Sequence, residues 1–153
     1  MEEGYSQEVM RTTATLGRKE AWDHAKARMG IARMGHRVRP GLYALGEPTR
    51  SSPVLVTANY SLSFDALRSS LPGRDAWVLV LDTGGINVWC AAGKGTFGTE
   101  ELVRAIEATK LSERVDGRTL ILPQLGAPGV SAQEVHGATG FKVEYGPVRA
   151  EDL

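Results

Sequence analysis

From Pro53 onward, the sequence alternates short apolar runs with amphipathic segments, and this alternation most constrains the fold. The apolar runs cover residues 54–57, 76–81, 119–122 and 141–145. Because the runs are largely continuous, they are typical of strands that are buried on both faces of a sheet. Strands separated by helices are joined by crossovers, which makes neighbouring strands parallel. The sequence therefore predicts an α/β fold of the Rossmann or flavodoxin-like type, with a mainly parallel sheet and helices on both faces.

The length of 153 residues suits one compact domain. Residues 1–17 are polar and predict a flexible N-terminal segment, whereas residues 18–153 are assigned to the α/β domain. Within that domain, residues 18–34 predict an amphipathic helix. Further along, Ser131 followed by Glu134 predicts a capping box and hence a helix start.

Charge, hydropathy and cysteine content exclude several function classes. Eighteen basic and eighteen acidic side chains cancel, so the composition does not point to nucleic acid or to an anionic membrane surface. No apolar run approaches the length of about 20 residues that a membrane-spanning helix needs, and no secretory signal opens the sequence. A single cysteine fits a reducing cytoplasm and cannot hold an iron–sulfur cluster, which needs about four thiolates.

The loops that follow the predicted strands should form one ligand site. Right-handed crossovers bring such loops to the same edge of a sheet, where ligands of open α/β sheets bind. The loops at this edge cover residues 57–60, 82–97, 123–130 and 145–148. They contain no Ser-His-Asp arrangement, no paired carboxylates and no complete phosphate-binding loop. The site therefore calls for a cofactor that brings the chemistry.

The loop after the second predicted strand carries the only cysteine, Cys90. Asn87 is a favoured N-cap, so Val88, Trp89 and Cys90 should form the first turn of a short helix. The positive end of that helix would favour a thiolate, and Lys94 adds positive charge. Small residues leave little bulk beside Cys90, which suits the approach of a large flat partner: Ala91, Ala92, Gly93 and Gly95. A cysteine buried only for packing is the alternative.

Residues 87–97 (Asn-Val-Trp-Cys-Ala-Ala-Gly-Lys-Gly-Thr-Phe) resemble the cap-helix motif of the corrinoid proteins of microbial mercury methylation. The resemblance extends across residues 53–60, 62–65 and 122–130, ends at 145–149, and covers most of the chain from Met29 onward. It implies a cobalamin-binding domain related to the large subunit of the corrinoid iron–sulfur protein of acetyl-CoA synthesis. The cobalamin is expected to be base-off, with its nucleotide base released from cobalt.

The resemblance also implies roles for individual residues. Cys90 would be the lower axial cobalt ligand and the catalytic residue, because a thiolate is a soft, strong donor that labilises an upper methyl group. Thr57 and Asn59 would line the corrin, and the loop after the third predicted strand would hold the tail and amide side chains. The implied cofactor-binding residues are Thr57, Asn59, Asn87, Val88, Trp89, Cys90, Ala91, Ala92, Gly93, Lys94, Gln124, Leu125, Gly126, Ala127, Pro128 and Val130.

The implied activity is that of a cobalamin-dependent methyltransferase that converts Hg(II) to methylmercury. The implied partners are a ferredoxin-like iron–sulfur reductant, since the chain has no redox centre of its own, and a methyl donor system such as methyltetrahydrofolate. Family members carry a membrane-embedded region after this domain, whereas the sequence stops at Leu153. We therefore expect an excised or truncated domain, which in a full-length relative lies at the cytoplasmic face of the inner membrane.

Two other hypotheses remain open from the sequence. The chain could be a corrinoid methyl carrier of the acetyl-CoA type, which passes its methyl group to a nickel centre. In that case Cys90 is dispensable, and a cysteine inside an otherwise matching cap helix argues against it. The chain could also be a non-enzymatic, flavodoxin-like binding module in which the cysteine is structural.

Overall fold

The computed structural model describes residues 4–14 and 37–146. The strands in these residues are β1 (Met10–Thr12), β2 (Gly41–Leu45), β3 (Val54–Ala58), β4 (Ala76–Leu81), β5 (Thr119–Leu122) and β6 (Lys142–Tyr145). The α-helices are α1 (Ser61–Ser69), α2 (Val88–Lys94), α3 (Thr99–Ala108), α4 (Leu111–Arg114) and α5 (Ala132–Thr139), and a 3₁₀ helix covers Gln124–Gly129. The predicted helix over residues 18–34 lies outside the described part of the chain.

The described strands form one mixed sheet in the order β1-β2-β4-β3-β5-β6. Strands β4, β3, β5 and β6 are mutually parallel, β2 runs antiparallel to β4, and β1 pairs parallel to β2. The prediction of a mainly parallel α/β sheet is confirmed. The chain passes from β3 to β4, which lies on one side of β3, and later reaches β5, which lies on the other side of β3. The direction in which successive strands are added to the sheet therefore reverses between β3 and β5. Such a reversal opens a crevice outside the carboxyl ends of the strands.

Two apolar cores cover the two faces of the sheet. Leu55 of β3 packs in one core with Phe64 and Leu67 of α1. Its neighbour Val56 belongs to the other core, which α2, α3 and α5 cover with residues such as Ala91. Successive strand residues point to opposite faces, so both sets must be apolar. This explains why the runs that predict these strands are continuous.

Two strands on one side of the sheet have no counterpart in the predictions. All five residues of β2 are buried, but the strand stands alone between Pro40 and Gly46 with no helical pattern beside it. The polar strand β1 pairs Met10 with Tyr43 and Thr12 with Leu45. The segment over residues 1–17, for which the sequence predicts flexibility, thus contains the strand Met10–Thr12. Backbone pairing with an open sheet edge orders this strand, and polar side chains give no signal of such pairing.

Candidate functional site

A cavity of about 550 Å³ opens at the carboxyl ends of β3 and β5, where the strand order reverses. Strand residues and α1 form one side of it, and the first turn of α2 and the loop after β5 form the other. The lining residues are Leu55, Val56, Thr57, Leu62, Ser63, Ala66, Leu67, Asn87, Val88, Trp89, Ile121, Leu122, Pro123, Leu125 and Gly146. The lining is mostly apolar, which suits a ligand with a large apolar surface.

Helix α2 begins as the sequence predicts. The Asn87 side chain accepts a hydrogen bond from the Cys90 backbone N–H at 2.9 Å, and Gly95 ends the helix in the left-handed conformation with φ 85°. The two sides of the helix differ, because Ala91 is fully buried whereas Trp89 is 66% exposed. Cys90 is half-buried. The helix therefore presents a large apolar ring and a thiol-bearing residue beside the cavity.

Asn59 holds the loop that leads into α2. Its Oδ1 accepts hydrogen bonds from the backbone N–H groups of Thr83 (2.8 Å) and Gly85 (3.1 Å). Its Nδ2 donates to Asp82 Oδ1 at 3.4 Å, and the same Asp82 oxygen accepts from the Gly84 N–H at 3.1 Å. Asn59 is only 3% exposed and is not among the cavity-lining residues. Its side chain thus holds loop 82–86 in position through these hydrogen bonds.

Glycines let the 3₁₀ helix approach α2 closely. A Cβ at Gly129 would lie 2.1 Å from the Phe97 carbonyl oxygen and 3.2 Å from Ala92 Cα. A Cβ at Gly126 would lie 2.4 Å from the Phe97 ring. Because two of these contacts are with backbone, only glycine fits at Gly129 without separating the two segments. The loop after β5 thereby fixes the position of α2.

Five of the sixteen predicted binding residues line the cavity: Thr57, Asn87, Val88, Trp89 and Leu125. Four others are buried away from it: Asn59, Ala91, Ala92 and Gly126. The remaining predicted residues are at least partly exposed: Cys90, Gly93, Lys94, Gln124, Ala127, Pro128 and Val130. Ala91 and Ala92, which the sequence suggests clear space for a flat partner, are buried in the core that α2 shares with the sheet. Gly93 does leave open space, because a Cβ there would meet nothing within 4 Å.

The contribution of α1 to the cavity is not among the predictions from the sequence. Four residues of α1 line the cavity beside Ile121 of β5: Leu62, Ser63, Ala66 and Leu67. A helix that follows the strand at a reversal of strand order commonly borders the ligand crevice. That signal depends on knowing that β3 and β5 are neighbours, and the apolar runs alone do not reveal their order.

The described titratable groups at this edge of the sheet do not assemble a metal site. Within residues 4–14 and 37–146, no group of three or more His, Cys, Asp or Glu side chains could hold a metal ion. Burial raises the pKa of Tyr145, whose hydroxyl donates a 3.4 Å hydrogen bond to the Val130 carbonyl oxygen. No helix in the described residues has the length and apolar character needed to cross a membrane.

Comparison with known proteins identifies the family. Residues 31–153 match the family model described as CO dehydrogenase/acetyl-CoA synthase delta subunit. The chain belongs to this family. One relative, the acetyl-CoA decarbonylase/synthase complex subunit gamma of Methanopyrus kandleri, is 36% identical over 118 residues, which cover 76% of this chain and 25% of that protein.

Other relatives point the same way. The subunit gamma of Archaeoglobus fulgidus is 36% identical over 114 residues, which cover 73% of this chain and 24% of that protein. The corrinoid/iron-sulfur protein large subunit of Moorella thermoacetica is 29% identical over 119 residues, covering 76% of this chain and 26% of that protein. The chain thus spans about a quarter of the length of these relatives. Their names support the expected corrinoid protein family and favour the acetyl-CoA alternative over mercury methylation.

Proposed function

We propose that this domain binds a corrinoid and carries a methyl group, as a methyl carrier of the acetyl-CoA type. The observation that carries the proposal is the apolar cavity at the reversal of strand order, bordered by the exposed side of α2. Membership of the CO dehydrogenase/acetyl-CoA synthase delta subunit family supports it. The relative from Moorella thermoacetica, whose name includes a corrinoid, also supports the proposal.

The residues at the cavity fit a corrinoid. The volume of about 550 Å³ lies in the usual range for small-molecule sites, and the apolar lining suits an aromatic base or a macrocycle edge. An isolated metal ion would need several protein ligands, which the described residues do not assemble. A metal held within a macrocycle needs at most one further ligand from this chain. The donor set therefore suits cobalt that arrives in its ring.

Each part of the site has a distinct task in this proposal. Trp89 is 66% exposed, and a bound macrocycle would cover its ring. Thr57 and Asn87 supply polar atoms in an otherwise apolar lining, so they orient the ligand. Asn59 and the glycines of the 3₁₀ helix hold α2 in place. When bound, the corrinoid supplies the cobalt atom that carries the methyl group.

Protein partners belong to the same proposal. The relatives from Methanopyrus kandleri and Archaeoglobus fulgidus are named as subunits of a complex. The described residues hold no cluster that could bind a metal ion, so a carrier domain of this kind would need other proteins to load and unload it. We propose an iron–sulfur reductant and a methyl donor protein as those partners.

The second candidate is methylation of Hg(II), with Cys90 as the lower axial cobalt ligand. The observation that favours it is a half-buried cysteine in the first turn of α2, next to cavity-lining Trp89. A methyl carrier of the acetyl-CoA type has no need for this thiol. A soft thiolate donor would favour transfer of the methyl group to an electrophile such as Hg(II).

Absorbance titration with hydroxocobalamin tests both candidates. The purified chain is expected to bind it, and a cavity variant, Thr57→Val, to bind it more weakly. Cys90→Ala is compared with Cys90→Ser, which keeps a polar side chain of similar size. Under the first candidate, the wild type and both variants have the same bound spectrum. Under the second, both variants lose the spectrum of the sulfur-ligated form and the transfer of methyl to Hg(II). Failure of the wild-type chain to bind cobalamin would refute both candidates.

A further inference from the structure

We propose that Tyr5, which lies in an N-terminal strap, is a positioning residue for α2 and acts through the loop that precedes this helix. The strap is defined as residues 4–12. The effect on ligand affinity rests on the proposed function, whereas the effect on the loop before α2 does not. Residues 4–12 precede the segment that matches the family model, which begins at residue 31. The strap therefore lies outside the part of the chain that the family model matches.

The strap is held along its length. Its β1 pairs with β2 at the sheet edge, with Met10 opposite Tyr43. Tyr5 and Val9 pack against the core that also contains α2. The Gln7 carbonyl oxygen accepts a hydrogen bond from the Arg114 guanidinium. Since β1 is antiparallel to β4, its beginning lies near the end of β4.

The Tyr5 hydroxyl makes two hydrogen bonds at that point. It accepts from the Asp82 backbone N–H at 2.8 Å and donates to the Glu101 carboxylate on α3. Burial raises the pKa of Tyr5 far above its usual value. The hydroxyl therefore keeps its proton, and with it the bond to Glu101, at any pH at which the domain would work.

Asp82 connects this contact to α2. Its Oδ1 accepts from Gly84 N–H and from Asn59 Nδ2, and Asn59 in turn accepts from the N–H groups of Thr83 and Gly85. The loop held in this way leads directly to Asn87, which caps α2 and lines the cavity. The hydrogen bonds thus run from the strap through Asp82 and Asn59 to Gly85, which lies two residues before Asn87 in the sequence.

Tyr5→Phe tests the proposal, because it removes the hydroxyl and keeps the ring. Amide hydrogen exchange, measured by NMR, is expected to become about tenfold faster at Asp82 and to accelerate at Thr83 and Gly85 as well. Hydroxocobalamin affinity is expected to fall about threefold. The control is Val9→Ala, which loosens the packing of the strap and leaves the Tyr5 hydroxyl in place.

A merely structural role predicts a different result. If Val9→Ala, at an equal loss of stability, lowers cobalamin affinity as much as Tyr5→Phe, the positioning role is wrong. Unchanged exchange at Thr83 and Gly85 in Tyr5→Phe would overturn it too. If the wild-type chain does not bind cobalamin, the proposed function fails, and the exchange rates alone decide the role of Tyr5.

Discussion

Helices α2 and α5 begin and end in the same way. Asn87 caps α2 by accepting from the N–H three residues on, and Ser131 caps α5 by accepting from Glu134 N–H at 3.3 Å. Each helix ends at a glycine in the left-handed conformation, with φ 85° at Gly95 and 81° at Gly140. The local rules that start and stop a helix are therefore the same in both.

The two helices differ in what they expose. The second residue of α5 is the polar Gln133, whereas the second residue of α2 is Trp89, which is 66% exposed. The third residue is Glu134 in α5 and Cys90 in α2. A carboxylate at that position stabilises a helix start, and a tryptophan or cysteine does not. The difference indicates that Trp89 and Cys90 are not residues that the start of α2 needs for its stability.

The largest effect is expected where α2 meets the 3₁₀ helix. Gly129→Ala would place a Cβ 2.1 Å from the Phe97 carbonyl oxygen, so the backbones must separate. We expect a loss of about 2–3 kcal/mol in the free energy of unfolding, measured by urea denaturation. Gly117→Ala is the control, because a Cβ there meets nothing within 4 Å. Equal stability of the two variants would show that α2 is not held by this contact.

Removing the two helix caps should destabilise the domain equally and affect binding unequally. Asn87→Ala and Ser131→Ala should each cost about 1 kcal/mol of unfolding free energy. Only Asn87→Ala should weaken hydroxocobalamin binding, since Asn87 lines the cavity. Equal affinities of the two variants would remove the functional distinction between the helices.

The two exposed helical glycines form a matched pair, and replacing them should increase the stability of the domain rather than decrease it. Gly93 in α2 and Gly137 in α5 both have open space at their Cβ positions. Replacing either glycine by alanine should raise the free energy of unfolding by about 0.5–1 kcal/mol. We expect Gly93→Ala to lower cobalamin affinity and Gly137→Ala to leave it unchanged. Tighter binding by Gly93→Ala would contradict a site on the exposed side of α2.

The smallest effect on stability is expected for Trp89→Gln, which gives α2 the residue found at this position in α5. Because the ring is 66% exposed, the free energy of unfolding should change by less than about 0.5 kcal/mol. Cobalamin affinity should nevertheless fall, as isothermal titration calorimetry would show. A loss of stability without a loss of affinity would make Trp89 a packing residue.

Local patterns predicted much of the fold. The four parallel strands appear as continuous apolar runs, and the caps at Asn87 and Ser131 follow from residue type and spacing alone. The reciprocal half of the predicted capping box is absent, because the Ser131 N–H donates to Thr99 Oγ1 at 2.8 Å instead. Thr99 is 32 residues away along the chain, and a local motif does not reveal such a partner.

The rest of the site depends on which elements become neighbours. Strand β1 has no apolar pattern, since its order comes from pairing with β2. Asn59 has the residue type of a ligand contact, yet its amide is turned toward loop 82–86. The α1 side of the cavity exists because β3 and β5 are adjacent. Each of these outcomes depends on contacts between residues that are distant in the sequence. Residue type and spacing give no information about such contacts.

The strap contacts residues that lie far along the sequence, and this has a consequence for how the domain folds. Tyr5 and Glu101 are 96 residues apart in sequence, and Gln7 and Arg114 are 107 apart. During synthesis the amino end leaves the ribosome first, but its last partner emerges more than a hundred residues later. Strands β2, β3 and β4 lie between the strap and these partners in the sequence, so they can pair with one another before the strap completes its contacts.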